Sequence, residues 1–206
     1  MSERWATFDC YGTLVDWNAG LAAALGDPGL LERYHELEPQ VQAEDPSRSY
    51  REVLRETARQ VGVDADPAAS LPEWPVFPEV RNALREARSR GWSLAILSNS
   101  DRDLIEASRQ AIGVPFELAI VASEIGSYKP AEGHWRAFAA EVGRLPDAHV
   151  AQSHFHDVVP AARLGIPTIW INRLAERAEP APTRELQSLE GLADALDDLV
   201  PAAEPG

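Results

Sequence analysis

Near its start the chain reads Phe8-Asp9-Cys10-Tyr11-Gly12-Thr13-Leu14-Val15-Asp16, in which Phe8 is the last residue of a short apolar run at residues 5–8. The run is too short for a helix and stops at polar residues and a glycine, which is typical of a buried parallel strand followed by a loop. In open parallel sheets, ligands bind outside the carboxyl ends of the strands. Asp9, which directly follows the run, is therefore the first candidate for a reactive group.

The rest of the chain repeats this pattern of short apolar runs with helical stretches between them. Further runs lie at residues 92–97, 118–122, 150–151 and 168–171. Between the later runs, helical patterns cover residues 101–111, 130–142 and 158–164. Strands that alternate with helices indicate right-handed crossovers and a parallel sheet covered on both faces. The sequence therefore predicts an α/β fold.

Residues 16–78 differ from the rest because they contain helical patterns and no strand-like run. The patterns lie at residues 21–25, 30–37 and 50–61, and a proline-rich return at residues 72–78 closes the segment. We expect a small helical domain inserted after the first strand. The predicted boundaries are residues 16–78 for this insertion, with residues 1–15 and 79–206 forming the catalytic core.

Composition and charge narrow the classes of partner. The chain has 206 residues, 45% of them hydrophobic, and its 33 acidic and 19 basic side chains give a net charge of −14 at pH 7. Such a field repels nucleic acid and anionic membranes, so we expect neither as a partner. Cys10 is the single cysteine, and no signal sequence or membrane-length apolar run is evident. We therefore expect a cytoplasmic protein with a small anionic substrate.

The loops after the predicted strands gather reactive side chains. Ser98 and Asn99 follow the second run, Lys129 lies near the third, and Asp157 follows the fourth. A nucleophile candidate, a lysine, a second carboxylate and several neutral hydrogen-bond donors would meet at one edge of the sheet. This set suits covalent catalysis by a carboxylate.

These loops resemble the motifs of the haloacid dehalogenase-like hydrolases. The resemblance rests on Phe8 through Asp16, on Leu97-Ser98-Asn99, on Tyr128-Lys129-Pro130, and on Ser153 through Asp157 continuing to Gly165 through Arg173. Four motifs in the right order, spanning residues 6 to about 173, make the match specific. The family implies a Rossmann-like parallel sheet core with an inserted small helical cap, in agreement with the pattern of the chain.

Two residues point to one branch of this family. Phosphatase members usually carry a second aspartate two residues after the nucleophile, where this chain has Tyr11. Gln152 likewise stands where many phosphatases have an aspartate, which leaves Asp157 as the only acid of that loop. Magnesium prefers several anionic oxygens, so the loss of one weakens a metal site. The pattern resembles the branch that hydrolyses 2-haloacids without a metal or other cofactor.

The resemblance implies a mechanism with three catalytic residues. Asp9 displaces the halide and forms an ester, which water then hydrolyses to release a 2-hydroxy acid. Lys129 is expected to hold Asp9 ionised by lowering the pKa of its carboxyl. Asp157 is expected to pair with Lys129 and to position or deprotonate the water.

The resemblance also supplies candidate substrate contacts. The backbone N–H groups around Cys10 and Tyr11, with the hydroxyls of Thr13 and Ser98, are expected to receive the substrate carboxylate. Asn99 is a candidate for contact with the departing halide. His35 takes the place of a cap arginine that receives the halide in relatives, and His154 is a candidate for substrate or water contact. The histidine cluster around His154 lacks the ligand spacing of a metal site, so we expect no metal there.

Two other functions stay open at this stage. A magnesium-dependent small-molecule phosphatase would use the same scaffold, with Mg²⁺ as its cofactor. A non-catalytic relative that binds small carboxylates is the third hypothesis, because the fourth motif departs from the dehalogenase pattern. The sequence leaves the physiological substrate undetermined, and a homodimer is left open.

Overall fold

A single parallel sheet forms the centre of the computed structural model, which describes residues 3–45 and 48–201. All strand pairs of the sheet are parallel. Its strands are β1 (Arg4–Phe8), β2 (Trp92–Ser98), β3 (Leu118–Val121), β4 (Ala148–Ala151), β5 (Thr168–Ile171) and β6 (Arg184–Leu186). They are arranged in the order β3-β2-β1-β4-β5-β6. The predicted α/β fold with a Rossmann-like parallel sheet is confirmed.

The central strand explains why Asp9 lies where it does. β1 pairs with β2 on one side and with β4 on the other, so the winding direction of the sheet reverses at β1. A reversal of this kind opens a crevice at the carboxyl ends of the strands. Asp9 directly follows β1, and its backbone N–H donates to the carbonyl of Val150 at 3.1 Å. The fold therefore places the Asp9 carboxyl at this crevice.

Both faces of the sheet are buried, as the apolar strand sequences require. Along β1 the side chains alternate, with Trp5 in the cluster of Trp135 and Phe138 on one face. Phe8 lies in the cluster on the other face. The core helices are α5 (Val80–Ser89), α6 (Arg102–Ile112), α7 (Ala122–Ile125), α8 (Gly133–Val142), α9 (Val159–Arg163) and α10 (Leu192–Leu199). A π-helical turn at His154–Val158 precedes α9.

The stretch between β1 and α5 is helical, and we call residues 16–78 the helical segment. It contains α1 (Trp17–Leu25), α2 (Leu31–Glu44), α3 (Tyr50–Gln60) and α4 (Pro67–Ser70). The chain leaves and returns side by side, since Asp16 N donates to Pro75 O at 2.7 Å and Phe77 N to Leu14 O at 3.1 Å. The division into a core and an inserted cap, with its boundaries, stays a prediction.

Several hydrogen bonds hold the helical segment over the carboxyl ends of the strands. The Asp101 carboxylate, after β2, accepts hydrogen bonds from the backbone N–H groups of Tyr50 and Arg51 at 3.0 Å each. The hydroxyl of Tyr128 donates to the carbonyl of Arg48 at 2.7 Å. Asp101 and Tyr128 each neighbour a candidate site loop, so these bonds fix α3 over the carboxyl ends of the strands.

The structure differs from the sequence prediction near the end of the chain. The proline-containing stretch at residues 178–182 and the helical pattern at residues 186–199 predict a linker followed by a helix. In the structure a short strand, β6, lies at Arg184–Leu186, and α10 begins only at Leu192. β6 is an edge strand with mostly exposed side chains, so it lacks the apolar run that marks a buried strand. Within the described ranges, no helix is long and apolar enough to cross a bilayer.

Candidate active site

A cavity of about 670 Å³ lies between the strand ends and the helical segment. The loops after the strands contribute Asp9, Asn99, Lys129 and Asp157 to its lining. The helical segment contributes a further group of lining residues, which includes Trp17, His35, Glu38 and Tyr50. The volume suits a small molecule, and the crevice has the position that ligands take in sheets of this kind.

Lys129 is buried between the two candidate carboxylates. Its Nζ atom lies 2.9 Å from Asp9 Oδ1, 2.5 Å from Asp157 Oδ1 and 2.8 Å from the carbonyl oxygen of Leu97. An ammonium has three N–H donors, and each has an acceptor here. Only 1% of the side chain is exposed, so the ammonium is held in a single place. It joins Asp9 and Asp157 in one charged network.

Asp9 is oriented by its neighbours in the first loop. Its Oδ1 accepts from Lys129, and its Oδ2 accepts from the Thr13 hydroxyl at 3.0 Å. Gly12 has a φ of +85°, a backbone conformation that favours glycine and lets the loop turn back on itself. The backbone N–H groups of Cys10 and Tyr11 make no hydrogen bond within the described residues. Tyr11 lines the cavity, so its amide can donate to a ligand there, whereas Cys10 is not part of the lining and a contact by its amide stays a prediction.

Asp157 is held through one oxygen atom. Its Oδ1 accepts from Lys129 and lies 2.9 Å from His149 Nε2. The other ring nitrogen of His149, Nδ1, lies 2.9 Å from Thr7 Oγ1. The ionised Asp157 carboxylate can only accept, so His149 Nε2 donates to it, while Thr7 Oγ1 also donates to the carbonyl of Ala148 at 3.2 Å. In the described part of the chain no donor reaches Asp157 Oδ2, and Asp157 lines the cavity. One carboxylate oxygen is thus fixed, and the other is available to a water or substrate.

Burial and charge separate the pKa values of the two carboxyls. Burial raises the pKa of Asp9 above its ordinary value; Lys129 opposes this shift, and Asp157 adds to it. Burial acts the same way on Asp157, but Lys129 and His149 outweigh it and lower the pKa of Asp157. Burial disfavours the Lys129 ammonium, but Asp157 and Asp9 outweigh it and raise its pKa. Lys129 lowers the pKa of Asp9 as expected, but desolvation is the larger effect and leaves the pKa of this carboxyl raised.

Three of the predicted contact residues line the cavity. Tyr11 packs against Tyr50 of the helical segment, with ring centroids 6.1 Å apart, and its hydroxyl lies 3.1 Å from Ser108 Oγ. His35 lines the same cavity from α2, beside the Trp17 ring. The Asn99 amide exchanges two hydrogen bonds with the backbone of Lys129, so it also fixes the lysine loop. Their roles toward a substrate stay predictions.

Four other predicted contact residues lie outside the cavity lining. Cys10, Thr13 and Ser98 are buried and do not line the cavity. The contact predicted at Cys10 uses its backbone N–H and stays a prediction. The Thr13 hydroxyl donates its one hydrogen to Asp9 and accepts from Gln152 N, so it orients Asp9 and, contrary to the expectation, has no hydrogen left to donate to a substrate carboxylate. His154 lies outside the lining, because its Nε2 bonds to the carbonyl of Pro180 and its ring packs on Trp170. His156, two residues later, lines the cavity.

Sequence reasoning assigned no role to several lining or supporting residues. His149 supports Asp157 from inside β4, and only its place in a strand next to β1 could have indicated this. Arg173 lines the cavity, stacks over the Phe77 ring at 3.6 Å and pairs with Glu79 at 2.7 Å. Glu38 lies four residues after Tyr34 on α2, a spacing that places both on one helix face.

The carboxylates at the cavity have partners other than a metal ion. Among residues 3–45 and 48–201, no group of three or more His, Cys, Asp or Glu side chains is arranged to hold an ion. Asp9 and Asp157 direct one oxygen each to the Lys129 ammonium, so these oxygens already have a cationic partner. The residues present therefore do not fit a magnesium site built on several carboxylates.

Comparisons with known proteins agree with this geometry. The chain is 28% identical to the (S)-2-haloacid dehalogenase of Pseudomonas sp. (strain YL) over 97% of both chains. It is 29% identical to the phosphoserine phosphatase of Thermus thermophilus over 66% of this chain, a match that spans only 59% of the phosphatase. The solved L-2-haloacid dehalogenase of Xanthobacter autotrophicus with covalently bound chloropropionic acid superposes with a TM-score of 0.78 at 21% identity, covering 94% of this chain and 98% of that one.

The family model of the haloacid dehalogenase-like hydrolases matches residues 4–151. This range contains β1, the helical segment, the lysine loop and β4, and therefore most of the crevice. The match covers more than half of the chain, so the protein belongs to the haloacid dehalogenase-like hydrolase family.

Proposed function

We propose that the protein cleaves the carbon–halogen bond of short 2-haloacids and releases 2-hydroxy acids, through an ester on Asp9 and without a metal. The observation that carries the proposal is the Asp9–Lys129–Asp157 network at the cavity floor. It combines a carboxylate that faces a cavity, a buried ammonium 2.9 Å away, and a second carboxylate with an unoccupied oxygen. These are the groups that a two-step displacement needs.

In the first step, an oxygen of Asp9 attacks the carbon that bears the halogen. A C–O bond forms, the carbon–halogen bond breaks with its electron pair, and the halide departs. The raised pKa of Asp9 makes its carboxylate a more basic nucleophile once it is deprotonated. The free N–H groups of Cys10 and Tyr11 are available to hold the substrate carboxylate during the attack.

In the second step, water attacks the carbonyl carbon of the Asp9 ester. Asp157 Oδ2 accepts one proton of the water and returns it to the alkoxide oxygen as the acyl C–O bond breaks, so the 2-hydroxy acid leaves with the oxygen that Asp9 supplied. The second proton of the water is released to solvent as the Asp9 carboxyl ionises again. The lowered pKa of Asp157 means that its carboxylate is ionised at neutral pH, so it acts mainly by orienting the water.

The relatives support this reaction over the alternative. The dehalogenase of strain YL matches over 97% of both chains, whereas the phosphoserine phosphatase matches over 59% of its length. A phosphatase of this family would need an acid that protonates the leaving oxygen, and Tyr11 occupies the expected position. Burial raises the pKa of Tyr11 well above its ordinary value, so its hydroxyl is a poor proton donor.

The test is halide release from chloro-, bromo- and fluoroacetate in the presence of a chelator. We expect release by the wild type and none by Asp9→Asn, with a magnesium-supplemented phosphomonoester panel as the comparison. Turnover in ¹⁸O-water, followed by mass spectrometry of the intact protein, is expected to place label on Asp9. Phosphate release without any halide release would overturn the proposal in favour of the phosphatase.

A further inference from the structure

The helical segment contributes an aromatic part to the cavity wall, which we call the helical wall: Trp17, His35, Glu38, Pro39 and Tyr50. The rings of Trp17 and His35 lie with centroids 4.9 Å apart and planes tilted by 31°. The Trp17 indole donates to the Tyr50 hydroxyl at 3.1 Å. Aromatic faces held at a cavity surface attract cations and apolar groups, and do not attract anions.

Glu38 is the acidic residue of this wall. Its carboxyl is half-buried, lines the cavity and forms no ion pair among the described residues. The titratable groups that act on its pKa are the phenols of Tyr50, Tyr34 and Tyr128, and none of these is a cation. Burial raises the pKa of Glu38 to about 7, and the Tyr50 hydroxyl only partly offsets this shift. A positive charge beside this carboxyl would therefore be stabilising.

Pro39 gives the helical wall no donor for an anion. It lies inside α2 and lines the cavity, and proline has no backbone N–H. The wall thus combines one carboxyl with aromatic side chains, and this combination suits a positively charged group.

The cations of the cavity lie away from this wall and are already paired. Among the lining residues that the structure describes, the fixed cations are Lys129 and Arg173, both outside the helical segment. Lys129 contacts Asp9 and Asp157, and Arg173 contacts Glu79. Burial lowers the pKa of His35, so its ring is neutral above acidic pH. A second anionic group on a substrate would find no charged partner on the helical wall.

From this distribution we infer that the helical wall is a subsite for a substituted ammonium group, carried at the end of a substrate whose halogen-bearing carbon lies at Asp9. The inference rests on the proposed function, because it names the class of haloacid: one with a cationic substituent remote from the carboxylate. Glu38 is the specificity-determining residue of this subsite.

The first experiment compares two substrates that differ in charge and little in shape. They are 2-chloro-5-(trimethylammonio)pentanoate and 2-chloro-6,6-dimethylheptanoate, which carry a trimethylammonium and a tert-butyl group at the same distance. We expect kcat/KM from halide release to be about tenfold higher for the ammonium compound, which is about 1.4 kcal/mol of transition-state binding. Equal values, or a preference for the tert-butyl compound, would overturn the subsite.

The variants test whether Glu38 carries the preference. Glu38→Gln keeps the shape of the side chain and removes its charge, so we expect the ratio of the two kcat/KM values to fall toward one. Glu36→Gln is the matched control, because Glu36 lies on the same helix, is exposed and pairs only with Arg33. The control is expected to retain the ratio. A ratio that survives Glu38→Gln unchanged would contradict the assignment of Glu38.

A binding measurement separates this inference from the proposed reaction. Isothermal titration of the wild type with tetramethylammonium is expected to show saturable binding, with tert-butanol as the neutral control and weaker binding by Glu38→Gln. If no haloacid, chloroacetate included, releases halide, the proposed function fails and this titration alone tests the subsite. If chloroacetate is hydrolysed but tetramethylammonium does not bind, the subsite fails and the proposed function stands.

Discussion

His149 shows how a residue without access to the cavity can act on the reaction. It is fully buried in β4, and its Nε2 binds the same Asp157 oxygen that Lys129 binds. Two donors on one oxygen fix the carboxylate plane and leave Oδ2 directed to other partners. We therefore regard His149 as a positioning residue for Asp157, and its Nδ1 is held by a contact of 2.9 Å with Thr7 Oγ1.

Replacing His149 is expected to lower turnover more than affinity. A hydrogen bond to a charged group is worth about 1.5–3 kcal/mol, which corresponds to about 10- to 100-fold in rate. We expect His149→Leu to reduce kcat by this factor with little change in KM, and His149→Gln to restore part of it by donating from its amide. Steady-state kinetics of halide release, with urea unfolding of both variants, checks this. A loss explained by unfolding alone would contradict the role.

The raised pKa of Asp9 predicts the acid side of the pH profile. The nucleophile must be deprotonated, so kcat/KM is expected to fall on acidification at a pH above the ordinary value of 3.8 for an aspartic acid. The Thr13 hydroxyl stabilises the ionised form of Asp9. Its loss in Thr13→Val is expected to move the acidic limb of the kcat/KM profile up by about one pH unit. Thr13→Ser, which keeps the hydroxyl, is the control. A limb that moves to lower pH in Thr13→Val would be inconsistent with this geometry.

At the scale of elements, the contact between α3 and the loop after β2 sets the shape of the cavity. Asp101 accepts from two backbone N–H groups at the start of α3, although it lies about fifty residues away in the chain. The first N–H groups of a helix have no partner within the helix, and a carboxylate there is stabilising. Tyr50, the first residue of α3, lines the cavity, so this contact also positions the helical wall.

Asp101→Ala is expected to lower the free energy of unfolding by about 1–2 kcal/mol, the usual cost of losing a helix cap. Asp103→Ala is the control, because Asp103 forms an exposed pair with Arg51 on the same helices. Its expected cost is below about 1 kcal/mol, since surface pairs contribute little. Urea unfolding followed by circular dichroism measures both. Equal decreases in the free energy of unfolding of the two variants would show that the Asp101 contact contributes no more to stability than the exposed Asp103 pair.

Gly20 in α1 is a second element-scale test. A Cβ atom there would lie 2.3 Å from the Trp74 ring, so Trp74 has to move to accommodate Gly20→Ala. Overpacking of this kind costs about 1–3 kcal/mol and outweighs the gain of about 1 kcal/mol in helix propensity. We expect the variant to be destabilised in urea, and Gly20→Ala combined with Trp74→Leu to recover stability. A single variant more stable than the wild type would contradict the packing.

At the scale of the whole molecule, the net charge of −14 opposes the approach of an anionic substrate. Salt screens this repulsion, so kcat/KM for chloroacetate is expected to rise a few-fold between about 0.01 and 0.15 M ionic strength, where the Debye length falls from about 30 to 8 Å. The control is chloroacetamide, a neutral molecule, measured as a competitor of chloroacetate. Its binding is expected to change little with ionic strength. A kcat/KM for chloroacetate that falls with added salt would indicate that positive groups near the cavity attract the substrate more strongly than the net charge repels it.

Local patterns were enough to predict much of the fold, and the resemblance to a known family supplied the candidate catalytic residues. Runs of buried residues give β1 through β5 because a strand covered on both faces must be apolar along its length. The exposed edge strand β6 has no such run and was missed. Asp9, Lys129 and Asp157 were predicted from motif order, and the structure brings all three together at the cavity floor.

The sequence by itself determined the α/β class, the order of the motifs and the residues of the charged network, since these follow from patterns between neighbours along the chain. Only the tertiary structure decided which side chains face the cavity. His154 and Thr13 lie outside the cavity lining and bond to Pro180 and Asp9, and His149 contacts Asp157. Glu38 lines the cavity together with Trp17 and Tyr50. The reason is that the burial and partners of a polar group depend on elements packed from distant parts of the chain, and these also set the pKa of Asp9.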